Sequence, residues 1–173
     1  MIIAPATAED ARAIGVVHVL AWHETYRGIV PDAVLASLNP SERAGMWQRV
    51  IASQGGVFVL RDGVRVVGFG SSGPNRDDSF TYTGMFNTLY LLGHAQRQGH
   101  GRRLMAAMAR HLLAIGRPDA VVWVAEANHA ACRFYERLGG TLAGRATELH
   151  EGWDMACVAY GWDDLTGIAE AAS

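Results

Sequence analysis

Apolar and polar positions change period several times along the chain, and each change marks an element. Ile2-Ile3-Ala4-Pro5 predicts a short opening strand. Thr7-Ala8-Glu9-Asp10 then starts a helix with acid in its first turn. Ile14, Val17, Leu20, Ala21 and Tyr26 continue it as an apolar stripe that runs out near Arg27-Gly28. Pro31-Asp32 opens a short helix through Leu35 and Leu38, and Asn39-Pro40-Ser41 caps a third carrying Met46, Trp47, Val50 and Ile51. From Gly55 the period shortens: residues 57–60, the Asp62-Gly63 turn and residues 64–67 predict a β-hairpin. Residues 71–82, rich in Ser, Gly, Asp and Asn, predict a loop projecting from the sheet. Strand 86–92, helix 99–115, buried strand 120–124 and helix 128–138 follow, with final strands at 142–149 and 153–160.

That order fits an α/β (α+β) fold, a mixed sheet with helices on both faces. Nothing in the chain reads as a linker, a repeat or a low-complexity block, so the expectation is one domain over residues 1–162. The small, polar tail 163–173 is expected to be loose.

Composition narrows the chemistry. The chain has 173 residues, half of them apolar and 18% charged, with a formal charge of −2. A general nucleic-acid binder would carry a basic excess, so no nucleic-acid partner is expected. All 15 basic residues are arginine. Without lysine there is no Schiff-base chemistry and no phosphate loop of the lysine-bearing kind. Cys132 and Cys157 show no metal-ligand spacing and read as reduced, buried thiols, so no metal is expected. No basic leader or long apolar run is visible, which makes a cytoplasmic protein without a membrane partner the expectation.

The chemistry concentrates in Leu89-Tyr90-Leu91-Leu92-Gly93-His94-Ala95-Gln96-Arg97-Gln98-Gly99-His100-Gly101-Arg102-Arg103. Here a strand runs through a glycine-containing turn into a helix. Unpaired N–H groups at the positive end of a helix dipole make an anion site. Gly99 and Gly101 clear side chains from it, and Arg97, Arg102, Arg103 and His100 add positive charge. Three readings fit this segment alone: a helix start using glycine for packing and arginine for solubility, a dinucleotide site, or a coenzyme A site. The dinucleotide pattern is incomplete, because Leu104 stands where its third glycine belongs.

A second constellation, Asn128-His129-Ala130-Ala131-Cys132-Arg133-Phe134-Tyr135-Glu136-Arg137-Leu138-Gly139, decides among them. Together the two segments resemble the GNAT superfamily of acyl-CoA-dependent N-acyltransferases. Gln96, Gly99 and Gly101 match the family's pyrophosphate signature, and Asn128, Tyr135 and Leu138-Gly139 match its second motif. Leu89-Tyr90-Leu91 is similar to the family's strand entry, with Gly93 in place of the usual proline. Trp22, Tyr26-Arg27-Gly28, Pro31 and Trp47 resemble one bacterial branch.

The resemblance implies the GNAT fold: a mostly antiparallel mixed sheet of six to seven strands, splayed at the acyl-CoA site by a strand bulge. It implies acetyl-CoA as acyl donor and a small-molecule or peptide amine as acceptor, and it admits a homodimer. Leu89, Tyr90 and Leu91 would pair with the pantetheine arm, with the Leu91 N–H as oxyanion donor. Gln96, Arg97, Gln98, Gly99, His100, Gly101 and Arg102 would hold the pyrophosphate, with Arg133 nearby. Asn128 would bind the arm near sulfur, and Tyr135 would protonate the departing thiolate. Trp22 and Tyr26, on one helical side with His18 and His23, would wall the acceptor. One position departs from the family: its usual glutamate is Met85 here, with Phe86 and Asn87 beside it, and a second base position falls near Trp123. Glu126, His94, His129, Glu148 and His150 remain as candidate bases, and a non-catalytic acyl-CoA-binding sensor or interaction module is the alternative.

Overall fold

The computed structural model describes residues 1–54 and 56–171. Gly55, where the sequence period changes, and the last two residues of the tail lie outside the described residues. Seven strands form one sheet in the order β1-β2-β3-β4-β5-β7-β6. They are β1 (Ile2–Pro5), β2 (Val57–Asp62), β3 (Arg65–Pro74), β4 (Gly84–Leu91), β5 (Ala120–Ala125), β6 (Thr141–His150) and β7 (Trp153–Trp162). The principal helices are α1 (Ala11–Tyr26), α2 (Asp32–Ser37), α3 (Pro40–Gln54), α4 (His100–Ala114), α5 (His129–Arg137) and α6 (Thr166–Glu170). Among these strands, β4 and β5 are the pair that runs parallel, as a crossover through α4 requires.

Each face of the sheet buries its own core. Ile14 and Val17 of α1 and Trp47 of α3 meet Val57, Val59 and Phe69 on one side. On the other, Met105, Met108 and Leu112 of α4 meet Phe86, Val122 and Tyr160, with Cys132 and Tyr135 of α5 in the same cluster. Leu104, Met108 and Leu112 recur at i, i+4, i+8, so one stripe of α4 faces the sheet throughout.

Two stretches depart from the sequence expectation. β3 continues through Ser71 and Ser72, both buried, so the loop begins only after Pro74. Their polarity is offset locally: Ser71 Oγ shares a hydrogen bond with Thr88 Oγ1 (2.7 Å), and Ser72 Oγ donates to Met108 O (3.4 Å). The tail is docked through residue 171, where a loose end was expected. Leu165, Ile168 and Ala169 are buried, Leu165 N–H donates to Pro118 O (2.9 Å), and Arg110 Nη1 donates to Ala169 O (2.7 Å). Their i, i+3, i+4 spacing is a short amphipathic stripe, which the surrounding polar residues mask.

His18 is core and does not reach the candidate cleft. Its Nδ1 accepts from Trp47 Nε1 (3.0 Å), and its ring stacks on Tyr90 at 5.2 Å. Burial, then the Arg43 guanidinium, push its pKa down to about 4 against a smaller opposing pull from Glu151. His18 is therefore neutral when folded and takes a proton below about pH 6.5 when unfolded. Between those values the unfolded chain binds more protons, so this residue's contribution of about 3 kcal/mol, full above pH 6.5, is lost as pH falls toward 4. Urea unfolding at pH 7 and pH 4.5 measures it. His18→Asn should flatten the pH dependence, and an unchanged slope would refute the assignment.

Candidate active site

The cleft originates in a break between β4 and β5. They pair at Gly84–Ala120 and Met85–Val121 only, then diverge. The cause lies in β4. Against β3, Ser71 pairs with Thr88 and Ser72 with Phe86, so Asn87 is an extra residue, a β-bulge. The bulge bends β4 away and exposes Asn87 to the gap. The opening is a cavity of about 620 Å³.

Beyond the bulge, Leu92 N–H donates to Val67 O (2.9 Å). Antiparallel alternation then turns the backbone of Tyr90 and Leu92 toward β3, and that of Leu89 and Leu91 into the gap. The Leu91 carbonyl accepts from Gln96 Nε2 (2.9 Å), so Gln96 braces the end of the strand. The Leu91 N–H is left facing the cavity.

At the wide end lies the turn into α4. Gly99, its N-cap, sits at φ 81°, and Arg97 is also left-handed at φ 60°, a conformation that costs a non-glycine residue about 1 kcal/mol. Arg103 N–H is the first to close the helix, onto Gly99 O (3.1 Å). The preceding amides, of His100, Gly101 and Arg102, therefore point out of the helix end. Arg97, Gly99, Gly101 and Arg102 line the cavity. Gln98, His100 and Arg133 do not: Gln98 Nε2 donates to His94 O (2.8 Å), His100 meets Arg103, and Arg133 is exposed on α5.

Across the gap, Asn128 caps α5 by accepting from Ala131 N–H (3.1 Å) and also lines the cavity. Tyr135 is buried, its ring packed against Phe134 (5.3 Å) and Trp162 (6.0 Å). Burial, then the neighbouring Tyr90 and Cys132, push its phenol above the ordinary range, so it stays protonated through neutral pH. Trp22 and Tyr26 line the cavity, 4.7 Å apart, and Tyr26 is hydrogen-bonded to Tyr90.

The candidate bases fare differently. Glu126 pairs with Arg145 at the surface, and His94 and His129 are exposed. Neither these three nor Glu148 lines the cavity. The His150 side chain lies outside what the structure describes. Glu24, which the sequence reading passed over, does line it: its Oε2 accepts the Gly93 N–H (2.8 Å), a donor that the usual proline would lack. The signal was there in the glycine that replaces proline, but the partner is 69 residues away in sequence. The bulge expected from the family resemblance falls at Asn87, a position the sequence did not assign because bulges carry no fixed side-chain signature.

Residues 19–140 match the acetyltransferase (GNAT) family. The chain is 37% identical over 164 residues to the uncharacterized N-acetyltransferase YuaI of Bacillus subtilis (strain 168), covering 94% of this chain and 93% of that protein. Among solved structures it is similar to yncA from Salmonella typhimurium with its cofactor acetyl-CoA, at TM-score 0.70 and 21% identity over 95% of this chain and 94% of that one. It is also similar to the PaiA N-acetyltransferase from Thermoplasma acidophilum in complex with coenzyme A, at TM-score 0.71 and 16% identity over 94% of this chain and 100% of that one. With its bulged β4, its open strand edge and the turn that begins α4, this chain belongs to the GNAT acetyltransferase family and is an acyl-CoA-dependent N-acetyltransferase.

Proposed function

We propose that the protein transfers an acetyl group from acetyl-CoA directly to a primary amine, with both substrates bound together. One observation carries the reading: the outward backbone of Leu89 and Leu91, the amides that start α4 and the Tyr135 side chain all border one cavity. The coenzyme-bound structures of yncA and PaiA support the donor.

The chain's own groups supply distinct roles. The open edge of β4 hydrogen-bonds the amide-bearing pantetheine arm like an added strand. The first-turn amides of α4, with Arg97 and Arg102, hold the pyrophosphate. Gln98, His100 and Arg133 contribute no cavity-facing side chain to this, so Gln98 and His100 act through the backbone of the turn. As the amine nitrogen bonds the carbonyl carbon, the Leu91 N–H stabilises the oxygen that gains charge. The carbon–sulfur bond then breaks, and Tyr135 gives its proton to the sulfur. The nitrogen's proton leaves to water, water returns a proton to the Tyr135 phenolate, and an amine that arrives neutral needs no protein base. Holding both reactants in one cleft supplies a large part of the acceleration.

The sequence also admits a non-catalytic acyl-CoA-binding module, because Met85 and Trp123 stand where the family's bases can stand, but membership of the family favours the enzyme. Calorimetric titration with acetyl-CoA, with NAD as control, followed by thiol release with an amine panel, separates the readings. Micromolar acetyl-CoA binding with turnover is expected. Binding without turnover of any amine supports the sensor, and absence of binding removes both.

A further inference from the structure

The charged residues that line the cavity are not spread around it. Arg97 and Arg102 stand at the start of α4, and Arg137 ends α5 on the same side of the sheet. Glu24 is held at the Gly93 N–H beside that turn. On the face where α1 packs, Trp22, Tyr26, Tyr90, Trp123, Met155 and Cys157 are uncharged, and Glu24 is the charged residue that α1 itself contributes to the lining. Burial pushes the Cys157 thiol up to about 11, with Glu148 adding to the shift, so it too is neutral. One end of the cavity suits a polyanion, and the other suits an apolar body.

Trp123 is fixed in this wall by a loop that the family motifs do not include. Residues 75–83 fold back over β5 and β6, braced by Asn75, whose Nδ2 donates to Tyr82 O (2.9 Å) and whose Oδ1 accepts Asp77 N–H (2.9 Å). The loop presents Asp77 Oδ2 to the Trp123 indole N–H (2.8 Å) and lays the Phe80 ring 5.3 Å from the Trp123 ring. Space for Phe80 comes from Gly144, where a Cβ would stand 3.1 Å from that ring. Asp77 Oδ1 is taken by Ser79 N–H (2.9 Å), so both carboxylate oxygens are engaged. An indole whose N–H is occupied offers the cavity only its apolar surface.

We propose that the acceptor amine is carried on an uncharged, apolar or aromatic body that packs against Trp123, with Asp77 as the positioning residue that holds the indole. The proposal rests on the acetyl-transfer reading and deepens it. Glu24, the carboxylate that α1 brings to the cavity, is drawn to the Gly93 N–H, so a second ammonium on a body packed against Trp123 meets uncharged lining side chains beside it, and a carboxylate there meets no lining cation among the described residues of β5 or α1. The reacting amine itself stays at the mouth of the V between β4 and β5, where the outward Leu91 N–H lies.

Two amines of similar length test it: 2-phenylethylamine and 1,4-diaminobutane, with acetyl-CoA saturating and thiol release as readout. The aryl amine should show kcat/KM at least about 30-fold higher, the scale of burying one ring. Trp123→Ala should raise the KM for 2-phenylethylamine by a similar factor and leave the KM for acetyl-CoA unchanged, which also shows that the variant is folded. Asp77→Ala should raise the amine KM about fivefold, on the scale of one lost hydrogen bond, and Asp77→Asn, which keeps an acceptor oxygen, should restore it. A diamine turned over as well as the aryl amine overturns the proposal, as does an amine KM indifferent to Trp123. If acetyl-CoA binds and no amine reacts, titration of the coenzyme A complex with 2-phenylethylamine decides. Binding lost in Trp123→Ala supports the apolar acceptor wall while removing the transferase reading, and no binding overturns the wall as well.

Discussion

Gly101→Asp should abolish coenzyme binding while leaving the fold intact. Gly101 lies in the first turn of α4, and a Cβ there would meet Phe134 at 3.4 Å and Leu91 at 4.0 Å, ordinary contact distances. Aspartate is also favourable near a helix N-terminus. The melting temperature is therefore expected to stay close to that of the parent. The carboxylate, however, lands among the amides assigned to the pyrophosphate. Two like charges about 4 Å apart repel by about 4 kcal/mol near a protein surface, on the order of a 1,000-fold loss in affinity. Calorimetry with acetyl-CoA reads this directly. Gly101→Ala separates volume from charge and should lose far less. Retained micromolar affinity in the aspartate variant would move the pyrophosphate away from this turn.

Tyr135→Phe is the second large effect. The ring is held by Phe134, Tyr160 and Trp162, and phenylalanine keeps those contacts, so the fold and acetyl-CoA affinity should be preserved. Turnover should fall about 100-fold, the low end of what a positioned proton donor contributes. Because burial holds the phenol above its ordinary range, the parent's kcat should show no loss of this acid as pH rises from 7 to 9. Single-turnover thiol release across that range is the measurement. Undiminished release in the phenylalanine variant would end the proton-donor assignment.

Much of this molecule was legible in advance, and for local reasons. The turn from Gln96 to Gly101 is a contiguous signal, because the positive φ of Gly99 and the open amides of a helix start are properties of a few neighbouring residues. Asn128, which caps α5, and Tyr135, within it, lie seven residues apart, so one short helix places both.

Other features depend on partners distant in sequence. His18 and Trp22 share a helix side, yet Trp47 from α3 draws one into the core while the other borders the cleft. Ser71 and Ser72 read as loop until Thr88 and the Met108 carbonyl receive them. The tail reads as loose until α4 and Pro118 accept Leu165 and Ala169.

The sequence by itself determined the order of elements through β7, the glycine-bearing turn into α4 and the family, since each is written in side-chain type and spacing over a short stretch. Only the tertiary structure decided where β4 bulges, how wide the gap beside it opens and which side chains line it. Those depend on register across strands and on contacts such as Asp77 with Trp123, 46 residues apart, whose energies exist only after the chain has folded.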